Sequence, residues 1–158
     1  MNIYGGTVRA WGGRFGAGIG CGYAENPAKY TNLHAVRIYG GTVEAYGGIA
    51  ASGIGGGKGA PGGNITITGG NVTAQHGYYY RAGKGIGEGY NGSGGTVSLS
   101  WTNITDSISA TSYGGTVRLN SSFMFQDSTT EATTGYIGGK QSSLPCRCHS
   151  TLTAVREQ

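Results

Sequence analysis

The residues able to do chemistry are few and scattered along the chain. Its acids are Glu25, Glu44, Glu88, Asp106, Asp127, Glu131 and Glu157. A lyase or hydrolase built on stacked strands needs two or three carboxylates converging on one groove, as metal ligands, acid and base. None of these seven recurs at a fixed place in the repeat described below. No catalytic residue is assigned, and the expectation is a chain that is not an enzyme. Glu44 has a structural use instead. It shares a column with Arg9 and Thr73, which predicts an outward Arg9–Glu44 pair about 5 Å apart on neighbouring strands.

Three cysteines do not make a disulfide framework. Cys21 stands where a third glycine would complete a Gly-Ile-Gly-Gly-Gly corner and reads as a lone thiol. Cys146, Cys148 and His149 supply three soft donors, but at a spacing wrong for structural zinc and without a fourth ligand. No metal and no cofactor is expected. Gly55-Gly56-Gly57-Lys58-Gly59 and Gly83-Lys84-Gly85 have a phosphate-loop flavour. Gly59 and Gly85 occupy the place of the Ser or Thr that would hold magnesium, however, and no helix follows. Asn-x-Ser/Thr triplets begin at Asn64, Asn71, Asn91, Asn103 and Asn120. Several coincide with strand starts and read as turn chemistry.

Aromatic residues offer more. The chain has 11 Tyr against 3 Phe, a ratio weighted toward the surface because a phenol wants a partner or water. Trp11 and Tyr46 share an outward or corner column, and Tyr78-Tyr79-Tyr80-Arg81 follow Gln75-His76-Gly77 in a loop. Flat rings beside Asn and Arg can stack on sugar faces and hydrogen-bond hydroxyls. Trp11, Tyr46, Tyr78, Tyr79, Tyr80 and Arg81 are therefore the candidate glycan-binding residues. The competing use is packing over backbone that glycine leaves bare.

What positions these residues is a repeat. Gly makes up 34 of 158 residues, about three times ordinary usage, without the strict three-residue period of collagen. Three blocks align: Ile3-Tyr4-Gly5-Gly6-Thr7-Val8-Arg9-Ala10-Trp11, Ile38-Tyr39-Gly40-Gly41-Thr42-Val43-Glu44-Ala45-Tyr46 and Ile67-Thr68-Gly69-Gly70-Asn71-Val72-Thr73-Ala74-Gln75. Each leads to a Gly-Ile-Gly triplet, starting at 18, 53 and 85. Such spacing lies in the range of solenoids, with loops absorbing the variation. Within a block the period is two, as in Val36/Ile38, Ile65/Ile67, Val97/Leu99 and Val117/Leu119, which marks strands with one buried face. No stretch has a 3.6-residue period long enough for crossover helices.

The expected fold is all-β: a short right-handed parallel β-helix of about four rungs over residues 1–140. Inward columns are Val8/Val43/Val72/Ile108, Ala10/Ala45/Ala74/Ala110 and Ile19/Ile54/Ile86, with Ile137 the candidate fourth member of the last. From about residue 96 the repeat diverges into a capping rung. There Asn103 and Asp106 replace the Gly-Gly corner through local side-chain-to-backbone bonds. Residues 141–158 carry no repeat and are expected to be a peripheral or disordered tail.

The Gly-Gly-x-Val-x-Ala runs, Gly53-Ile54-Gly55-Gly56-Gly57, Gly62-Gly63-Asn64-Ile65-Thr66-Ile67 and the Trp101-Thr102 to Asp106-Ser107-Ile108 segment resemble the Gly-rich β-helix repeats of bacterial secreted and cell-surface proteins. They are similar, more loosely, to the carbohydrate-binding β-helix domains related to pectate lyases. The resemblance spans residues 3 to 125. It implies a modular structural or adhesion segment of a longer extracellular or cell-surface protein, contacting a polysaccharide or host glycan. The alternative it raises is a degenerate polysaccharide-active, lyase-like enzyme. The chain enters the repeat at Ile3, and the expectation is that it carries no signal peptide. A net charge of +4, evenly spread, is too mild for a nucleic-acid partner, and no apolar run is long enough to insert into a membrane. Unpaired rung edges predict an end-to-end homodimer.

Overall fold

The computed structural model describes residues 1–26, 34–78, 82–100, 103, 105–119, 124–127 and 150–155. The period-two segments form β1 (Asn2–Ile3), β2 (Thr7–Trp11), β3 (Ile19–Gly20), β4 (Ala35–Ile38), β5 (Thr42–Tyr46), β6 (Ile54–Gly55), β7 (Gly63–Ile67), β8 (Asn71–Gln75), β9 (Ile86–Gly87), β10 (Gly95–Leu99), β11 (Ser107–Ala110) and β12 (Thr116–Leu119). Two further strands are β13 (Met124–Asp127) and β14 (Ser150–Val155).

They stack into three walls. The first runs β1-β4-β7-β10-β12, the second β2-β5-β8-β11 and on to β14 and β13, and the third β3-β6-β9. β1 to β12 pair in parallel with their equivalents one rung away, so the chain is a parallel β-helix. Among the described residues three coils carry a strand in all three walls. In the second wall Val8 stands opposite Val43, Val43 opposite Val72 and Val72 opposite Ile108, while Ala10, Ala45, Ala74 and Ala110 form the neighbouring column. Ile19, Ile54 and Ile86 line up in the third. These columns are the core. Val43, Ala45, Ile54, Ile67, Ile86, Leu99 and Ile108 have no exposed surface, and each fully buried Val, Ile or Leu contributes about 1.5–3 kcal/mol.

The corner between the first two walls explains the Gly-Gly pairs. Gly41 has φ +90°, and a Cβ there would lie 2.5 Å from the Gly6 carbonyl oxygen of the rung before. A side chain is thus excluded by both conformation and space. In the fourth rung Asp106 takes the equivalent place. It is 6% exposed, its Oδ1 accepts the Gly70 N–H at 2.9 Å, and its Oδ2 accepts the Asn103 N–H at 2.7 Å.

The fourth rung keeps the register: Val97 pairs with Ile65, Leu99 with Ile67, and Ile108 with Val72. Its third wall is a single bridge, in which Tyr113 stands opposite Ile86 and is 9% exposed. Tyr113 thereby closes the isoleucine column for which Ile137 was the candidate. Ile137 lies outside the described residues. β12 then starts a fifth turn against β10. Within the 141–158 segment, residues 150–155 are strand β14, antiparallel to both β11 and β13. The rest of that segment, with Cys146, Cys148 and His149, lies outside the described residues.

Candidate functional site

Trp11 and Tyr46 end β2 and β5 on the outward face, opposite each other in register. Their rings stack with centroids 5.6 Å apart and planes 12° from parallel. A second stack, not singled out from the sequence, joins Tyr4 and Tyr39 at 4.9 Å and 7°. Both spacings approximate the ~4.8 Å between neighbouring strands, so each stack runs along the solenoid axis.

This geometry decides which surfaces are available. In a stack, the ring face pressed on its neighbour cannot meet a ligand. The next rung carries Thr68 and Gln75 in the two columns, so each ladder is two rings tall. Tyr4 and Trp11 belong to the first rung, and among the described residues no ring stacks on their other faces. Tyr4 is 74% exposed and Trp11 67%. Between them runs the edge of β2, which among the described residues pairs only with β5.

Of the remaining candidates, one is described. Tyr78 is fully exposed in the loop after β8. Tyr79, Tyr80 and Arg81 lie outside the described residues. Arg9 and Glu44 form the expected pair, Nε to Oε2 3.0 Å, on the face that carries Trp11 and Tyr46. The arginine is largely exposed, so the pair contributes about 0.2–1 kcal/mol.

The acids do not converge on one groove among the described residues. Glu25 is exposed, Glu44 holds Arg9, and Asp106 is consumed by the corner. Glu88 lies against Gly114, with a buried Oε2 that makes no hydrogen bond. Among the described residues no group of three or more His, Cys, Asp or Glu is placed to hold a metal. No helix of the described residues is long and apolar enough to cross a membrane.

The phosphate-loop-like run is a solenoid corner. Lys58 donates its backbone N–H to the Phe15 carbonyl and sets its ammonium 4.8 Å from the Phe15 ring centre and 5.7 Å from that of Tyr23. Its charge is thus engaged by ring faces.

Cys21 is a free thiol, as expected, but it has a neighbour that the sequence does not show. Its Sγ lies 2.9 Å from Nδ1 of His34, the residue just before β4. Burial raises the Cys21 pKa and lowers that of His34.

Residues 2–23 and 36–58, the first two coils, match the family described as beta helix repeat. No curated protein and no solved structure matches the chain. The chain is a short parallel β-helix generically related to the β-helix repeat families, and no link to the pectate-lyase-related domains in particular emerges.

Proposed function

We propose that this β-helix is a non-catalytic structural and adhesion segment of a bacterial surface protein, working outside the cell and contacting glycans through exposed aromatic rings. The observation that carries this reading is the pair of exposed rings, Tyr4 and Trp11, in the first rung of the solenoid. Sugar rings present C–H-rich faces that stack on such platforms. Arg9 and Glu44, beside Trp11, supply a donor and an acceptor for hydroxyls. Tyr46 supports Trp11 from beneath, and Tyr78 offers a separate exposed ring.

A glycan array, followed by titration of the best soluble polysaccharide, tests this. Wild type is expected to bind, Trp11→Ala to lose most affinity, and Tyr78→Ala to lose less. Absence of binding by the wild type anywhere on the array leaves only the structural role.

The same end supports an end-to-end homodimer. Among the described residues β1, β2 and β3 are each terminal in their walls, with no further strand paired to their outer edges. Val8 and Ala10 are only partly buried, whereas Val43 and Ala45 one rung inward are fully covered. A second copy docked there would complete those columns. Light scattering at rising concentration tests it, and a strict monomer throughout counts against it.

A further inference from the structure

Away from the aromatic end-face, Cys21 and His34 place a nucleophile and a proton acceptor at hydrogen-bond distance, Sγ to Nδ1 2.9 Å. The backbone holds both. The Cys21 N–H donates to the Gly55 carbonyl at 2.8 Å, and the Cys21 carbonyl accepts the Ala17 N–H at 3.0 Å. The His34 carbonyl accepts the Asn64 N–H at 2.8 Å. The imidazole lies over the bare backbone of Gly63, where a Cβ would sit 2.8 Å from Nε2, so glycine in the next rung makes the room the ring occupies.

The sulfur is also approachable. Cys21 is only half-buried, which leaves part of the residue open to solvent. Burial favours the neutral form of each partner, with the thiol protonated and the imidazole free to accept a proton near neutral pH.

We propose that Cys21 is a nucleophilic thiol, served by His34 as proton acceptor, that exchanges with low-molecular-weight disulfides. In the exchange the S–H bond of Cys21 breaks and its proton passes to His34 Nδ1. The sulfur electron pair forms a bond to one sulfur of the small disulfide, whose own S–S bond breaks. The departing thiolate then takes the proton from the imidazolium. One thiol and one disulfide become a mixed disulfide on Cys21 and one free small thiol, with no other oxidant required. The corner of the first rung is thus a reversible thiolation site.

The test uses the full chain with Cys146→Ser and Cys148→Ser, which leaves Cys21 as its one thiol. Glutathione disulfide is added, the adduct is followed by intact mass, and the rate is measured at pH 7 with 4,4′-dithiodipyridine. The expected result is one glutathione per chain, removable by reductant, and a rate that falls about tenfold or more in His34→Gln. Glutamine keeps an acceptor but cannot carry the proton. An unchanged rate in a His34→Gln protein with the wild-type circular dichroism spectrum overturns the proposal. If that variant does not fold, the parent is compared with itself in guanidinium: a folded thiol slower than the unfolded one overturns it equally, and a faster one supports it.

Discussion

Asp106 occupies the rung after Gly70 and accepts that residue's N–H through Oδ1 at 2.9 Å, so a carboxylate here completes a corner that glycine forms in the other rungs. Its other oxygen accepts the Asn103 N–H. Asp106→Ala leaves two backbone donors unsatisfied in a part-buried corner and is expected to cost about 2–3 kcal/mol. Asp106→Asn, which keeps one acceptor oxygen, should cost less. Urea denaturation of the three proteins checks the order.

Gly41→Ala is expected to destabilise by at least about 1–2 kcal/mol, because it combines a left-handed φ with a Cβ set against the Gly6 carbonyl. Gly13→Ala is the control. A Cβ there meets nothing within 4 Å, and its effect should stay within about 0.5 kcal/mol. Equal midpoints for the two variants would contradict the corner geometry.

Val43→Ala and Val8→Ala delete the same atoms from one column. The first position is fully buried and the second only partly covered. Val43→Ala should cost about 1–3 kcal/mol and Val8→Ala distinctly less in dilute solution. As concentration rises the gap should narrow, because a docked second copy buries Val8. Thermal melts over a hundredfold concentration range measure this.

A glycan on the Tyr4 and Trp11 faces and a second copy on the same end would occupy one surface. Saturating polysaccharide is therefore expected to shift dimer to monomer, visible by light scattering. Tyr4→Ala with Trp11→Ala should abolish the shift. Their stability loss should be no more than about 0.5–1.5 kcal/mol per lost stack.

Stability should fall at both pH extremes, for reasons located in Cys21 and His34. His34 has a folded pKa below its ordinary 6.5, chiefly from burial. The unfolded chain therefore binds the proton first, and the contribution present above pH 6.5 is lost as pH falls below it toward the folded value. Cys21 has a folded pKa raised above its ordinary 9.0 by burial. The unfolded chain loses that proton first, and stability declines as pH rises through 9.0. In the Cys146→Ser, Cys148→Ser background, His34→Gln should flatten the acid limb of Tm against pH, and Cys21→Ser the basic limb.

The walls were legible in the sequence because two periods agree there. Alternation assigns Val8, Val43, Val72 and Ile108 to one face, and the repeat spacing sets them opposite one another. Tyr113 was not legible as the successor of Ile86, since it follows β11 after only two residues and has no Gly-Ile-Gly around it. β14 was hidden for another reason. It pairs antiparallel, so it need not repeat anything. The Cys21–His34 contact joins the third wall of one rung to the first wall of the next across a connection of variable length, and no sequence period reports on such a meeting. Tyr4 and Tyr39 did leave a signal, the identical Ile-Tyr-Gly-Gly that opens two blocks, and identity at an outward position of a solenoid implies a stack.

The unbroken register at Gly6, Gly41 and Gly70 bears on how such a chain can change over generations. Since each coil meets its neighbours through the same columns, removing or duplicating a stretch that runs from one Gly-Gly corner to the next leaves every surviving residue opposite an equivalent partner. The intervals between these corners differ in length while the columns stay in register, so changes of other sizes are absorbed in the connections between walls. Within a strand, a one-residue change would turn its buried side chains outward, so the strands are the intolerant parts of the coil.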